Sequence, residues 1–455
     1  MKVTKPMRIL RYSLAILALC QTGQAWAKSA SDYFPICTAP GRTTGRTLTV
    51  DPSGRATSLD AALKAAKPGD TISLMSGDYG ELAIKDRNQG GFVTIQAGPG
   101  QSPQFSKIAV KGSHWRLIGL TVSGHIPQGF LVNIADSDNI IFEKNTVATK
   151  IGNISWAPTL IEKNNPEGIS SGIFASQSSC VSVMDNHIVN VFNALMVGGD
   201  QTNNRGQYIF INGNTIDNFA GDGIDHQASH IRIENNRITN GHDICNNLCA
   251  HNDGIQGWTW GRPGIVNTDV VISSNEIIVQ TDPKLVLPAD AFQGITIFNG
   301  DWDGVQITNN SVIATAWHGI TVFRARNVSI INNTVAPGNA KRNTWITYSP
   351  PKDLPPGASN SSIVRNNVAR EVGIYKHESV GKNIEVDHNL DIKSAERFSD
   401  AFLKFDLENF SFDLHPSKHS DAKGEGAADG APVTDIEGNP RKGLIDIGAY
   451  SYSGK

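Results

Sequence analysis

A three-residue unit, Asn-x-(Ile/Val), recurs through the middle of this chain and constrains its fold more than any other feature. The closest successive units are 22 or 23 residues apart, and the wider spacings correspond to the same period with an insertion. Such a period is typical of a solenoid, because one short coil cannot bury its apolar side chains, whereas stacked coils share a core. The unit starts at Asn145, Asn186, Asn214, Asn236, Asn275, Asn310, Asn333 and Asn366.

Each unit follows a short alternating strand, such as Ile231-Arg-Ile233, and no helical segment lies within the repeats. Leucine-rich repeats share the period, but this chain lacks their Leu pattern. The repeat therefore predicts an all-β fold: a right-handed, single-stranded parallel β-helix in which the Asn side chains stack in a turn. An open solenoid end would expose unpaired strand edges, and residues 58–67 supply an N-terminal capping helix that begins after Ser58 and stops before Pro68.

The first residues have the parts of a secretory signal: basic residues, an apolar stretch over 13–20, and Ala25-Trp-Ala27 as a cleavage site. We expect residues 1–27 to be a signal peptide and the mature protein to be secreted or periplasmic. A lipid anchor on Cys20 is the alternative, and no later stretch has the ~20 apolar residues of a membrane span. The β-helix domain is predicted over 28–394, with a loop-rich C-terminal segment packed on it over 395–455.

Four cysteines remain after the predicted cleavage, and disulfides are the default in an oxidising compartment. We expect Cys245 and Cys249 to staple one loop, which leaves Cys37 to pair with Cys180. A metal site at the close pair, with the histidines nearby, is the alternative. The formal net charge of −3 argues neither for nor against an anionic partner. We expect a monomer with no nucleic-acid partner.

Two segments carry a resemblance to known proteins. Residues 61–79 (AALKAAKPGDTISLMSGDY) resemble the opening of secreted β-helix polysaccharide lyases, including the chondroitinase B and alginate lyase family, and residues 446–450 (DIGAY) are similar to the closing segment of many pectate-lyase-like proteins. The resemblance implies a β-helix and a polysaccharide substrate. It does not identify the reaction, since the Lys and Arg pair that those lyases use matches no motif here, and polygalacturonase motifs are missing.

A second unit follows the Asn unit and has polar neighbours. From the Asn to the Gly of this second unit takes nine residues in the first and last of four coils, but 18 and 19 in the two middle coils. Two adjacent coils therefore carry insertions at the same turn, 241–249 and 280–290, and long loops on one side of a rigid scaffold are where binding and catalysis concentrate. The four units are Asp222-Gly-Ile-Asp225, Asp253-Gly-Ile-Gln256, Gln293-Gly-Ile-Thr296 and His318-Gly-Ile-Thr321.

Period-two alternation predicts which side chains of these units leave the core. If each Ile points inward, one outward file holds Asp225, Gln256, Thr296 and Thr321, and the next holds Gln227, Trp258, Phe298 and Phe323. The three rings of the second file would form an exposed ladder suited to the apolar faces of sugars, unless loops cover them as a satellite core. Substrate contacts are expected from Gln256, Trp258, Phe298, Phe323, Lys284, His242 and Asp243.

Titratable side chains gather on the same face. Asp222 and Asp253 fall about one strand spacing apart, and two such carboxyls share a proton, bind a cation, or act as acid and base. Several histidines and an arginine converge there, which indicates function more than isolated hydrogen-bonded residues do. The candidate catalytic residues are Asp222, Asp225, His226, His251, Asp253, His318 and Arg324.

The first hypothesis is a lyase that cleaves a uronic-acid polysaccharide by β-elimination. Arg324, with Lys284 in reserve, or Ca²⁺ would neutralise the uronate carboxylate. His251 or His226 would abstract the proton beside it. The aspartates of the second units would orient a histidine or hold the cation, whose ligands the sequence leaves unknown.

Three other hypotheses remain open. An inverting glycoside hydrolase needs two carboxyls ~6.5–9.5 Å apart, which Asp225 with Asp253, or Asp222 with Asp243, would supply. A uronate epimerase shares the first step of the lyase. A non-catalytic carbohydrate-binding surface protein belongs to another class, in which substitution of His251 or Asp253 leaves every function intact.

Overall fold

The computed structural model describes residues 28–41, 45–53, 55–127, 129–151, 169–198, 206–242, 252–259, 264–284, 292–354, 356–374 and 383–454, with the side chains of 86–89 set aside. Within them, strands of successive coils pair in parallel and build a right-handed parallel β-helix, as the repeat predicts. Each complete coil contributes one strand to each of three faces. Among the described residues, the first and second faces form a 22-stranded sheet and the third a 12-stranded sheet.

The chain enters the β-helix through strands that precede the regular coils. These are β1 (Thr47–Val50), β2 (Thr71–Leu74), β4 (Glu81–Ala97) and β6 (Lys107–Ile118). Strand β6 pairs with the first strand of the first face and with the first strand of the second face, β8 and β9 below, so it runs across both.

The first face carries the second repeat unit. It consists of β8 (Phe130–Ala135), β11 (Ser171–Ser176), β14 (Leu195–Gly198), β17 (Ile224–His226), β20 (Asn252–Gly257), β23 (Phe292–Ile297), β26 (His318–Phe323), β29 (Trp345–Ser349) and β32 (Glu371–Ile374).

The second face follows it in each coil. It consists of β9 (Asp138–Glu143), β12 (Ser179–Met184), β15 (Gln207–Asn212), β18 (Ser229–Glu234), β21 (Val266–Ser273), β24 (Asp301–Thr308), β27 (Ala325–Ile331), β30 (Ser362–Arg365) and β33 (Ile384–Asp387).

In the coils that carry the Asn unit, the strand of the third face begins one or two residues after the Asn of that unit. It consists of β3 (Gly77–Asp78), β5 (Pro103–Phe105), β7 (Thr121–Ser123), β10 (Thr146–Ala148), β13 (His187–Val191), β16 (Thr215–Phe219), β19 (Arg237–Gly241), β22 (Glu276–Ile278), β25 (Ser311–Ala314), β28 (Thr334–Pro337), β31 (Val368–Ala369) and β34 (Leu390–Asp391).

Aliphatic columns fill the interior. Ile224, Ile255 and Ile295 are register partners on successive strands of the first face, and all three are fully buried. Burial of one such side chain contributes ~1.5–3 kcal/mol relative to exposure. No single coil could supply the surface that buries them, so the column stabilises the stack rather than any one turn.

The predicted Asn side chains form a hydrogen-bonded ladder at the turn between the second and third faces. Asn236 Oδ1 accepts from Asn214 N at 3.0 Å and from Asn214 Nδ2 at 2.9 Å. Asn214 Nδ2 also donates to the Val183 carbonyl at 2.9 Å. Each buried amide therefore links three coils. The rungs in the described residues are Asn145, Asn186, Asn214, Asn236, Asn275, Asn310, Asn333, Asn367 and Asn389.

The last predicted rung, Asn366, is wrong by one position. Val368 pairs with Thr334, and Asn367 Oδ1 accepts from Asn333 N at 3.0 Å, so Asn367 occupies the ladder. Asn366 instead has a left-handed backbone, with φ of 57°. Asn366 fits the Asn-x-(Ile/Val) pattern, whereas Asn367 is followed two residues later by Ala369, so only the register between coils identifies Asn367 as the rung.

Both ends of the β-helix are covered. Helix α2 (Leu59–Ala65) lies in the predicted capping segment: Ser58 Oγ accepts from the Ala61 N–H, and Ala62 is fully buried. At the other end lie α3 (Glu396–Ala401) and an antiparallel hairpin of β35 (Phe402–Asp406) and β36 (Ser411–Pro416).

The segment after the hairpin lies along the coils. Asn332 Nδ2 donates to the carbonyls of Asp446 and Gly448, and the backbone of Ala449 donates to Thr334 Oγ1. These bonds attach residues 446–450, the DIGAY segment, to the turn between the second and third faces and to the third face.

The N-terminal segment is attached by a disulfide. Cys37 bonds to Cys180 across 143 residues, which confirms the predicted pair, whereas Cys245 and Cys249 lie outside the described residues. Helix α1 (Ala30–Tyr33) and Phe34 pack beside this bond against Phe210. No helix within the described ranges has both the length and the apolar character to cross a membrane.

Asn236→Ala is expected to destabilise the protein by about 2–4 kcal/mol, because it leaves buried donors and a carbonyl without partners in two neighbouring coils. Urea unfolding measures the change. The control is Asn235→Gly, next in sequence but exposed and left-handed, with φ of 56°, which glycine tolerates. Equal losses in both variants would contradict a special role for the ladder.

Candidate active site

Four strands of the first face align the second repeat unit as predicted. Asp225 pairs with Gln256, Gln256 with Thr296, and Thr296 with Thr321. The pairs share one outward file because the flanking isoleucines are inward register partners. Asp225, Thr296 and Thr321 are nevertheless almost fully buried. Other side chains on this face must therefore cover the file.

Asp253 is the most deeply placed carboxyl of the site. It exposes no surface, and its Oδ1 accepts from Thr296 Oγ1 at 2.7 Å while its Oδ2 accepts from Gln256 Nε2 at 3.0 Å. Its backbone N–H donates to Asp222 Oδ1 at 2.9 Å, so the predicted neighbours Asp222 and Asp253 are in direct contact. Donors on both oxygens stabilise a buried carboxylate.

The pKa values of the other two carboxyls, Asp222 and Asp225, are raised above the ordinary acidic range. Burial raises the pKa of Asp225 to about 7; the hydrogen bond from the Trp258 indole opposes this rise, and the charge of Asp253 adds to it. Burial, together with the charges of Asp253 and then Asp225, raises the pKa of Asp222 well above its usual value. Asp222 is half-buried and is the most accessible of the three.

Aromatic rings cover the file. The Phe298 and Phe323 rings stack with centroids 5.0 Å apart, and the His318 ring stands edge-on to Phe298 at 5.2 Å. His318 Nδ1 lies 3.0 Å from Thr321 Oγ1. Trp258 donates its indole N–H to Asp225. The Trp258, Phe298 and Phe323 rings of the predicted aromatic ladder are all half-buried, so only part of their surface is exposed to solvent.

The prediction that His226 belongs to this polar face is wrong. His226 exposes no surface, and its ring lies edge-on to the interior Trp302 with centroids 5.7 Å apart. Burial lowers the pKa of His226 to about 4, so the ring is neutral at physiological pH. Alternation explains the error: Asp225 points outward, so the next residue in the strand points inward.

His242 is also buried rather than open to substrate. Its ring is hydrogen-bonded to Asn218, and burial lowers the pKa of His242 to about 4, with the charge of Asp217 opposing this change. Asp243 and His251, which follow it in the insertion, lie outside the described residues. Lys284 is exposed at the edge of the second insertion.

Arg324 lies apart from the carboxyls. It occupies the left-handed corner after β26, with φ of 55°, and its guanidinium donates to Asp301 at 2.7 and 3.1 Å. Strand β26 lies three strand spacings from β17, which places Arg324 about 14 Å from Asp225 along the axis. It lines a groove of about 410 Å³ with Arg326 and Lys352. The Arg324 guanidinium and the carboxyl cluster, which consists of Asp222, Asp225 and Asp253, therefore do not form one site.

The described residues do not fit a metal centre. No three His, Cys, Asp or Glu side chains in the described ranges converge on a shared position for a metal ion. Burial, together with neighbouring negative charges, raises the pKa of Asp222 well above its usual value, which favours the neutral form, and the two oxygens of Asp253 accept hydrogen bonds from Thr296 and Gln256. This set of carboxyls is therefore poorly suited to hold Ca²⁺.

Three positioning residues were not identified as site residues from the sequence. Thr296 was predicted to point outward, but nothing in the sequence pairs its hydroxyl with Asp253. Asn193 Oδ1 accepts from the Asp222 N–H at 2.9 Å. Asn252 Nδ2 donates to the Gly221 carbonyl at 3.0 Å, which fastens the turn just before Asp222. Each of the three contacts joins residues of two different coils, so no short sequence motif predicts them.

No protein-family model matches this sequence, and no curated protein matches it. Several solved structures have a similar fold. Pectate lyase Pel9A aligns at 14% identity over 94% of this chain and 100% of its own, with a TM-score of 0.45. An alginate lyase from Paenibacillus sp. str. FPU-7 aligns at 15% identity over 76% of this chain and 99% of its own, with a TM-score of 0.45.

An α-1,3-glucanase catalytic unit from Streptomyces thermodiastaticus aligns at 17% identity over 78% of this chain and 70% of its own, with a TM-score of 0.44. At these identities and scores the alignments carry no argument about the reaction or its residues.

Asp225→Asn removes a titrating group but keeps an oxygen that accepts from Trp258. The pKa of Asp225 is raised from 3.8 to about 7, so the native state holds a proton that the unfolded chain releases, and stability from this group falls as pH rises through that window. We expect the variant to be more stable than wild type at pH 8 by about 1–3 kcal/mol and equally stable near pH 4. Urea unfolding at the two pH values tests this, and a variant less stable at pH 8 would contradict it.

Proposed function

We propose that this chain is a secreted enzyme that cleaves a polysaccharide by general acid–base catalysis at Asp222, Asp225 and Asp253. One observation carries the proposal: three carboxyls from adjacent coils lie together, with the pKa of Asp225 raised by burial to about 7 and that of Asp222 raised well above its usual value by burial and two neighbouring charges. General acid–base catalysis requires groups that exchange protons near the working pH. Carboxyls in such contrasting states are suited to glycoside hydrolysis.

The environments assign a role to each carboxyl. The pKa of Asp222 is raised well above its usual value and Asp222 is the most accessible of the three, so it acts as the acid that protonates the leaving oxygen. Asp225 loses its proton near pH 7 and then acts as the base that activates water. Asp253 remains a fixed charge that opposes ionisation of the other two.

The Trp258, Phe298 and Phe323 rings form the proposed sugar-binding surface. Phe298 and Phe323 stack in successive coils at a spacing close to that of the strands, and their half-buried faces suit the apolar faces of a sugar chain. Trp258 lies on Asp225, so substrate must displace the indole to reach that carboxyl. Gln256 borders the same face and is half-buried.

A second candidate is β-elimination on a uronic-acid polymer, favoured by the cationic groove. Arg324, Arg326 and Lys352 line it together, and a guanidinium there would neutralise a uronate. Against this stand the interior position of His226, the ion pair between Arg324 and Asp301, and the ~14 Å between Arg324 and Asp225. Acid–base hydrolysis is therefore the better-supported reaction.

The purified mature chain should be incubated with pectate, alginate, xylan and neutral glucans, with and without a Ca²⁺ chelator. We expect new reducing ends without a rise in ultraviolet absorbance. Asp222→Asn and Asp225→Asn should each lower the rate by about 10²–10⁴-fold, because each removes one proton-transfer group. Asp60→Asn, an exposed residue of the capping helix, is the matched control and should retain the wild-type rate.

Other outcomes identify other functions. Unsaturated products that absorb in the ultraviolet would establish the lyase, and their loss on chelation would establish a Ca²⁺ requirement. A changed sugar composition at constant chain length would establish an epimerase. Binding without chemical change, retained in both Asp variants, would establish a carbohydrate-binding protein and contradict the proposal.

A further inference from the structure

Thr296 lies where two coils meet at the carboxyl cluster. It belongs to β23, exposes no surface, and donates its hydroxyl to Asp253 Oδ1 on β20 at 2.7 Å. The other oxygen of Asp253 accepts from Gln256 of its own strand. Thr296 is thus the contact from the following coil to the central carboxylate.

A buried carboxylate is retained only if hydrogen bonds replace the water that it loses. Because both of its oxygens accept hydrogen bonds, Asp253 binds a proton less readily than Asp222 or Asp225 does. The proton held by the cluster therefore resides on the other two groups. A neutral hydroxyl thereby helps to decide which carboxyl is ionised.

We propose that Thr296 is a positioning residue that fixes the negative charge of the cluster on Asp253 and so keeps the proton on Asp222 and Asp225. The inference rests on the proposed function for its catalytic meaning, although the proton distribution itself requires no substrate. Loss of the hydroxyl would let Asp253 take up a proton more readily. Asp225 would then ionise at lower pH, because the charge that opposes its ionisation would be weakened.

Among the described residues, groups that face Asp253 come from the coils on either side of it. From the preceding coil it faces Asp222 and Asp225, and from the following coil the neutral Gln293 and Thr296. The His226 ring lies inside the coil against Trp302. His242 is bonded to Asn218, and residues 243–251 are outside the described part of the chain.

Thr321 provides a matched control. It is the register partner of Thr296 on the next strand and is equally buried. Its hydroxyl lies 3.0 Å from His318 Nδ1 and receives the Trp345 indole N–H at 3.3 Å. Thr→Val at either position removes one buried hydroxyl from the same file, but only one of the two hydroxyls bonds a carboxylate.

The test is the titration of the Asp225 carboxyl carbon by ¹³C NMR in the folded full mature chain. We expect its midpoint to fall by about one pH unit in Thr296→Val, to stay unchanged in Thr321→Val, and to return to the wild-type value in Thr296→Ser. If a substrate is cleaved, the limb of the pH–rate profile that reports the base should shift by the same amount.

Thermal unfolding of the three variants checks that each is folded over the titrated range. An unchanged Asp225 midpoint in Thr296→Val, or an equal shift in Thr321→Val, would overturn the inference. Because the NMR titration needs no substrate, a protein that cleaves no polymer but shows the expected midpoints would refute the proposed function and support the role of Thr296.

Discussion

The structure depends on the exact register between stacked coils. The Asn ladder sets that register, because a buried amide such as that of Asn214 bonds to the coil before and to the coil after. A shift of the register by one residue would leave these amides without hydrogen-bond partners and turn every aliphatic side chain outward. With the register fixed, side chains one coil apart are held about 4.8 Å from each other.

That spacing creates the candidate active site. It brings the Asp253 backbone N–H within 2.9 Å of Asp222 Oδ1, and the Trp258 indole of the next coil lies on Asp225. Desolvation and the neighbouring negative charges raise the pKa of Asp222 and Asp225, while both oxygens of Asp253 accept hydrogen bonds. The arrangement costs folding free energy at neutral pH, as is common where function requires a perturbed group.

The sequence predicts the scaffold well, because the features that set it are periodic. The repeat predicts the β-helix, the file from Asp225 to Thr321 follows from alternation, and counting cysteines leaves Cys37 for Cys180. Prediction fails where a single position decides the outcome. His226 lies on the opposite side of the strand from Asp225, and the true rung Asn367 departs from the pattern that its neighbour Asn366 fits.

Contacts between coils are the other part that the sequence does not reveal. Nothing near Arg324 in the chain indicates its partner Asp301, which belongs to the preceding coil. The bond from Thr296 to Asp253 spans 43 residues. The length of the intervening insertion does not alter where the strands pair, so sequence distance carries no information about such contacts.

The pH dependence of kcat/KM for the cleaved polymer tests the central claim most directly. If the carboxyl cluster performs the acid–base chemistry, the rate should rise with an apparent pKa of about 7, set by burial of Asp225. That rise should be absent in Asp225→Asn. A rise near pH 4, or one that persists in the variant, would contradict the account.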